Sequence, residues 1–516
     1  MRKELLLLLF ASLTNFSYSQ SLFKNVVISH ATSGEPSICV NYTNTNHIVA
    51  ASNIQNVYYS TDKGHTWIED QITSPELGVW GDPCIINDND GSFYYFHLSS
   101  PSSDIGSWID RIVCQRLDDI QSREWTSGKG IYLNSPKQQD KEWAIVDPIT
   151  NNIYVTWTEF DEYGSPLETD HSRILFSMSS DKGESWSEPV ILSDVEGICI
   201  DNDNTTEGAV PTVGPNGEIY VSWSYGEKIY FNKSSDQGET WLDEASVIED
   251  QPGGWDYDIP NLFRCNGMPI TTCDISNSPN RGTIYINWTD QRNGVDDTDV
   301  WLIKSTDGGE TWSEAKRVND DPAGKQQFLS WMTIDQVTGY VYIVFYDRRN
   351  YNNNLTDVYM AISRDGGETF SNVRISENSS LARNVGDYTN ISAHNNIIRP
   401  VWIHSDAQGE KVMTAIIDNP ELIVEDKSVG IDMDISPNPF NDNTKISFIL
   451  EQKAAVSLKV TDIKGATIKV LIDNNSIAKG KHKKTIKSSY LPAPGTYYIE
   501  LTIGENTAKR KIVYVE

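Results

Sequence analysis

The chain has 516 residues, 38% of them hydrophobic, enough to fill a large core and to build two domains. Its formal net charge is −30; residues 431–516 hold 13 Lys and Arg against 9 Asp and Glu, a net of +4, which leaves −34 for the rest. A surface this acidic repels nucleic acid and anionic membranes, so neither is expected as a partner.

Taken in chain order, residues 1–19 join Arg2 and Lys3 to an apolar stretch over 5–12 and small polar residues at 17–19, the parts of a secretory signal peptide that would leave Gln20 as the first mature residue. The stretch is too short to cross a membrane and no other long apolar segment follows, so no transmembrane segment is expected. The next segment, NVVIS at 25–29, reads as an isolated strand. Five copies of one motif then run through the chain: STDKGHTW at 60–67, SSDKGESW at 179–186, SSDQGETW at 234–241, STDGGETW at 305–312 and SRDGGETF at 363–370. Each reads as a tight turn in which Asp accepts hydrogen bonds from turn amides two residues on, Gly takes a positive φ and the closing aromatic returns to a sheet face. A β-branched run ending in an aromatic precedes the later boxes, as at 153–157, 219–223, 284–288 and 341–345. A shorter strand comes before each of these runs, and another follows each box.

One repeat is therefore four strands, and four-stranded units repeated around an axis make a propeller. The motif is that of the Asp-box, or BNR, repeat, and the chain resembles that family of β-propellers, sialidases among them. Five boxed units, a sixth at 81–125 with a worn box and a seventh at 387–418 lacking its last strand predict an all-β, seven-bladed propeller over 20–418. The strand at 25–29 would supply the missing edge. Six blades, as in sialidases, is the alternative.

After Asp418 the repeat stops. Residues 419–430 read as a linker, and 431–516 as a small β-sandwich carrying DISPNPF at 434–440, LKVTDIKG at 458–465 and PGTYY at 494–498. These elements resemble the C-terminal sorting domain (type A) of the type IX secretion system of Bacteroidetes. The resemblance implies passage through that machinery to the cell surface or beyond, and removal of the domain there.

Chemistry is expected away from the boxes, because a catalytic centre needs different groups from different blades. The innermost strand of each blade starts at the funnel face and the second ends there. Carboxylates at those positions, Asp82, Glu207, Asp258 and Asp387, are the candidate catalytic groups, together with Glu142, and Tyr346 is a candidate nucleophile of the kind sialidases use. Trp80, Trp143, Trp157, Trp288, Trp331 and Tyr388 are the candidate sugar-stacking rings. Arg292 of TDQR (289–292) and Arg348 of YDRR (346–349) would clamp an acidic group, or else one arginine in each motif braces its own loop against the neighbouring Asp. The Arg-Ile-Pro element of sialidases is missing. The expected function is an exo-acting glycoside hydrolase on acidic or sulfated glycans. A non-catalytic glycan- or protein-binding propeller is the alternative, and a polysaccharide lyase using His97 or His404 a further one.

No cofactor is required, although 201–207 and 87–91 space oxygen ligands as calcium loops do, or as polar turns do. Of the six cysteines, Cys265 with Cys273 is the expected disulfide, and Cys39 and Cys84 would approach each other. A monomer is expected.

Overall fold

The computed structural model describes residues 23–30, 34–101, 108–418, 420, 433–450, 452–462, 466–504 and 506–515. The signal-peptide segment 1–19 and all of the linker 419–430 but Pro420 lie outside the described residues. The chain divides into two units, one ending at Asp418 and the other starting at Asn419.

The first unit is all-β and holds seven antiparallel sheets among its described residues. Blade 1 runs outward through Ser37–Val40, Ile48–Ser52, Asn56–Ser60 and Ile68–Gln71. The innermost strands of blades 2 to 7 are Gly81–Asn87, Gln138–Val146, Glu207–Val213, Ile270–Cys273, Gln327–Asp335 and Asn390–His394. Each innermost strand packs beside the next, and that of blade 7 packs beside that of blade 1, so the ring closes. The seal is the strand Lys24–Ser29, which pairs with Gly409–Asp418 as the outermost strand of blade 7.

Burial grades outward within a blade. The second strands Ile153–Phe160 and Ile284–Asp290 are buried at every position, whereas Ile68–Gln71 is exposed at every position. A second strand is covered on both faces by neighbouring blades, so even its polar positions, such as Thr156 and Asn287, are buried. Trp157, Trp223, Trp288 and Trp402 occupy matching places on these strands and are wholly buried.

All five boxes make one structure. In the box at 305–312, Ser305 Oγ donates to Asp307 Oδ1 at 2.7 Å and accepts from the Gly309 amide at 2.9 Å; the Thr311 amide and hydroxyl donate to the two Asp307 oxygens at 3.0 and 2.6 Å. The Asp thus caps the amide four residues on, not two. Gly309 has φ +84°, and a Cβ there would sit 2.5 Å from Phe231 of the preceding blade, so both the turn and the blade contact demand glycine. Cations from the preceding blade clip four boxes in place. Arg116, Lys233, Lys304 and Arg399 donate to the carbonyls of Lys182, Gly308, Gly366 and Lys63 at 3.1, 2.8, 2.7 and 2.8 Å, the last joining blade 7 to blade 1.

All six cysteines are buried and free, contrary to the expected pairing. Cys265 lies before the innermost strand of blade 5 and Cys273 closes it, so the strand itself holds them apart. The Cys39 thiol bonds the Asn87 side chain at 3.1 Å, and Cys39 and Cys84 line one cavity as free thiols.

The second unit has a three-stranded sheet and a four-stranded sheet enclosing a core of Ile446, Phe448, Leu450, Val456, Leu458, Val460, Ile486, Ile499 and Leu501. Asn443–Leu450 alternates strictly between covered and open positions at its even and odd residues, the two-residue period of a strand with one face in the core.

Candidate functional site

Four innermost strands carry a bulge at their funnel end, where the ladder shifts between Gly81 and Cys84, Asp140 and Trp143, Glu207 and Val210, and Phe328 and Trp331. Asp82, Lys141, Gly208 and Leu329 sit in these bulges with φ of +54°, +54°, +77° and +49°. A non-glycine residue rarely adopts this backbone, and bulges re-aim side chains near sites. The same kink therefore presents an acid, a base, a bare backbone and an apolar group to the funnel.

Lys141 is the hub. Its buried ammonium lies 2.8 Å from Asp387 and 3.3 Å from Asp82, groups of blades 7 and 2. Arg264 reaches in from the long connection before the innermost strand of blade 5, 3.2 Å from Asp387 and 2.9 Å from Asp201. The Tyr163 hydroxyl donates to Asp201 at 2.7 Å. The Asn53 side chain accepts from the Asp82 amide at 2.8 Å and donates to Glu35. Glu35, Asp140 and Asp387 line the same pocket as Asp82, Lys141 and Arg264.

These carboxyls divide into two kinds. Burial raises Glu35 well above the usual carboxylate range, and the charges of Asp82 and Asp387 raise it further. Burial lifts Asp140 to about 7 although Lys141 opposes the rise, and Glu142 and Glu207 are likewise raised by burial, then by Asp82 and Asp201 respectively. Both Glu142 and Glu207 are wholly buried. Asp387 goes the other way: burial works against its charge, but Lys141 and Arg264 outweigh it and hold the group below its ordinary value.

Rings border the acids. Trp80, 43% exposed, meets Trp108, 38% exposed, edge to face at 5.6 Å, and Trp108 meets Tyr163 the same way at 5.6 Å. Beneath, Trp143, Trp331 and Tyr388 close the channel, with ring centroids 4.2 Å apart for the first pair and 4.9 Å between Trp143 and Tyr388.

Of the residues singled out from sequence, Asp82 and Asp387 meet through Lys141, Glu207 lies against Asp201, Trp80 stands on the wall, and Trp143, Trp331 and Tyr388 form the floor. Others stand elsewhere. Tyr346 is wholly buried, its hydroxyl donating to the Ile403 carbonyl at 2.8 Å, which denies it a nucleophile's access. Trp157 and Trp288 are core, bonded to Gln139 at 2.6 Å and Asp290 at 2.8 Å. Asp258 is exposed on the 251–269 connection, because the innermost strand of blade 5 starts at Ile270 rather than near Tyr257. Arg292 braces its loop against Asp290 at 2.7 Å, with its guanidinium 4.4 Å from the Trp301 ring centre. Arg349 does the same against Asp347 at 2.7 Å, and the odd arginine, Arg348, is buried and ties the Pro260 carbonyl at 2.8 Å. His97 is wholly buried and burial lowers it to about 4, while His404 sits 3.7 Å from Asp406.

The calcium-like segments serve as turns and braces. Asp201 pairs with Arg264, Asp203 accepts from the Asp256 amide at 2.8 Å, and Asp88 accepts from the Ser92 amide at 2.9 Å and the Tyr94 hydroxyl at 2.8 Å. Glu35, Trp108, Asp140, Lys141, Tyr163 and Arg264 belong to the site and were not singled out from sequence. The run Asp140–Lys–Glu–Trp143 carried a signal: three charges opening a strand that must be buried.

Residues 151–396 match the model of the BNR repeat-like domain, and residues 434–516 that of the secretion system C-terminal sorting domain. The chain carries both domains. No curated protein matches it. Among solved structures it is similar to the NanB sialidase of Streptococcus pneumoniae, at 8% identity over 72% of this chain and 83% of that one, with a TM-score of 0.42. The sialidase of Trypanosoma rangeli matches at 12% over 87% and 90%, TM-score 0.42, and an ulvan lyase of a polysaccharide lyase family at 13% over 77% and 96%, TM-score 0.46. These likenesses are in fold alone.

Proposed function

We propose that this BNR-repeat propeller, exported by means of its sorting domain, is a glycoside hydrolase whose active site is the funnel pocket around Lys141. One observation carries the reading: a single pocket holds carboxyls whose hold on a proton is raised, Glu35 and Asp140, beside one whose hold is lowered, Asp387, under exposed tryptophans. Two carboxyls driven apart in protonation are what glycosidic cleavage uses, one to give a proton to the leaving oxygen and one to stabilise the developing positive charge or activate water. Glu35, next to Asp82, is the proton donor in this reading. Asp387 is the fixed negative charge, and Lys141 and Arg264 are positioning residues that keep it ionised. Trp80 and Trp108 stack the sugar.

The alternative is a glycan-binding propeller without turnover, favoured by the engagement of both cations with carboxylates. The test is incubation of the exported form with a glycan panel, following release of reducing ends. Release that is lost in Glu35→Gln and Asp387→Asn while binding persists supports the hydrolase. Binding without release in the wild type supports the alternative. The expectation of an acidic substrate rests on Arg292 and Arg348, whose guanidiniums are engaged in loop bracing and burial.

A further inference from the structure

We propose that the sugar unit taken into the funnel carries a free ammonium group, as in an unacetylated hexosamine. The inference rests on the glycan reading above and adds the charge of its ligand.

The pocket is short of positive charge. Glu35, Asp82, Asp140 and Asp387 line it, Asp201 stands behind Arg264, and two cations serve them all. Both cations are already bridged, Lys141 between Asp82 and Asp387, and Arg264 between Asp201 and Asp387. A carboxylate or sulfate on the ligand would therefore meet like charge and no free cation. Glu207, wholly buried against Asp201 outside the pocket lining, adds a further acid nearby. Burial raises Glu35 and Asp140, and the nearby Asp82 raises both further.

An ammonium group seated between Asp82 and Asp140 supplies that charge, while its sugar ring lies on the face of Trp80 or Trp108. The tryptophans favour an organic cation over a bare ion. Among the described residues no three acidic, histidine or cysteine side chains converge closely enough to hold a metal. Binding should also expel a proton from Asp140, because a neighbouring cation lowers it, while Glu35 keeps its own for the leaving oxygen.

The matched probes are glucosamine oligomers, the same oligomers fully N-acetylated, and a uronate oligomer of equal length. Each is titrated calorimetrically into the full chain at a mildly acidic pH that keeps the sugar amine protonated, in two buffers of different ionisation heat. The expected result is at least tenfold tighter binding of the free-amine oligomer than of its acetylated twin, with net proton release. That advantage should be lost in Asp82→Asn and Asp140→Asn, both of which still bind the acetylated oligomer. Equal or tighter binding of the acetylated or uronate oligomer, still weakened by Trp108→Ala, overturns the inference and leaves the glycan reading standing. No binding of any oligomer, or binding indifferent to Trp108→Ala and Trp80→Ala, overturns the glycan reading and this inference together. Calcium alone releasing the same protons and displacing the amine oligomer also overturns it.

Discussion

The two faces of the propeller are built from one repeat and read in opposite ways. On the box face the same residues recur and each is satisfied by its own turn: box after box, an Asp takes the amide and hydroxyl four residues on. On the funnel face one backbone feature recurs, the bulge, but the residue it presents changes from Asp82 to Lys141 to Gly208 to Leu329. Repetition of side chains marks what every blade needs in order to stand. Repetition of backbone with changing side chains marks where one ring assembles unlike groups. The contrast extends to partners: box acids bind their own loops, whereas funnel acids meet across blades 2, 3 and 7.

The largest way to break this contrast is at its hub. Lys141→Met should destabilise the propeller by about 3–5 kcal/mol, because it leaves buried carboxylates without their cation, and should abolish turnover; thermal unfolding and a reducing-end assay check the two effects. Next come two tryptophans with opposite roles. Trp288→Ala empties a core place and should cost about 3–5 kcal/mol. Trp108→Ala should leave the melting temperature nearly unmoved and weaken glycan binding roughly tenfold, which calorimetry separates from folding.

The pH dependence separates the raised funnel acids from the box acids by sign, with the funnel's Asp387 on the side of the boxes. Asp140 stands at about 7 in the folded chain against an ordinary 3.8, and Glu35, Glu142 and Glu207 are raised in the same sense, so the native state holds protons that the unfolded state has lost. The Asp140 contribution to stability falls as pH rises from about 4 to about 7, and the other three fall in the same sense. Asp236 and Asp307 of the boxes are held at about 2 by their threonine hydroxyls and amides, so their contribution is present above the ordinary value and lost as pH falls through about 2. Calorimetric scans should therefore show the melting temperature rising from pH 8 toward about 4 and falling below it, and Glu207→Gln should flatten the upper slope. The smallest effect is expected for Lys304→Met, which removes one clip between blades 5 and 6 and should cost about 1 kcal/mol.

The blades were legible because their signals are local. A Ser-x-Asp-x-Gly turn and a β-branched run need no information from distant chain, and the strand at 25–29 stood out because nothing beside it in sequence could pair with it. The site was half legible. Asp82, Asp387, Trp80 and Trp143 lie at positions that the repeat itself assigns to the funnel. Arg264 and Tyr163 lie on connections whose length and path no repeat predicts, and they arrive by folding back. Arg292 and Arg348 misled for a physical reason. An arginine beside an aspartate at a loop has the same composition whether it braces that loop or awaits a ligand, and only the path of the loop separates the two.

The strand Lys24–Ser29 sets the tempo of assembly. Asn25 pairs with Ala415, so the first blade-forming residues must wait for a partner 415 − 25 = 390 positions later. Until that partner is available the ring is an open arc whose last blade shows a bare edge, and bringing such distant segments together is slow by its nature. A chain sealed in this way stays threadable for most of its synthesis and becomes a closed body only when nearly all of it can be in one place. A truncation that removes Gly409–Asp418 would therefore leave both ends of the ring unsealed, however well the other blades fold.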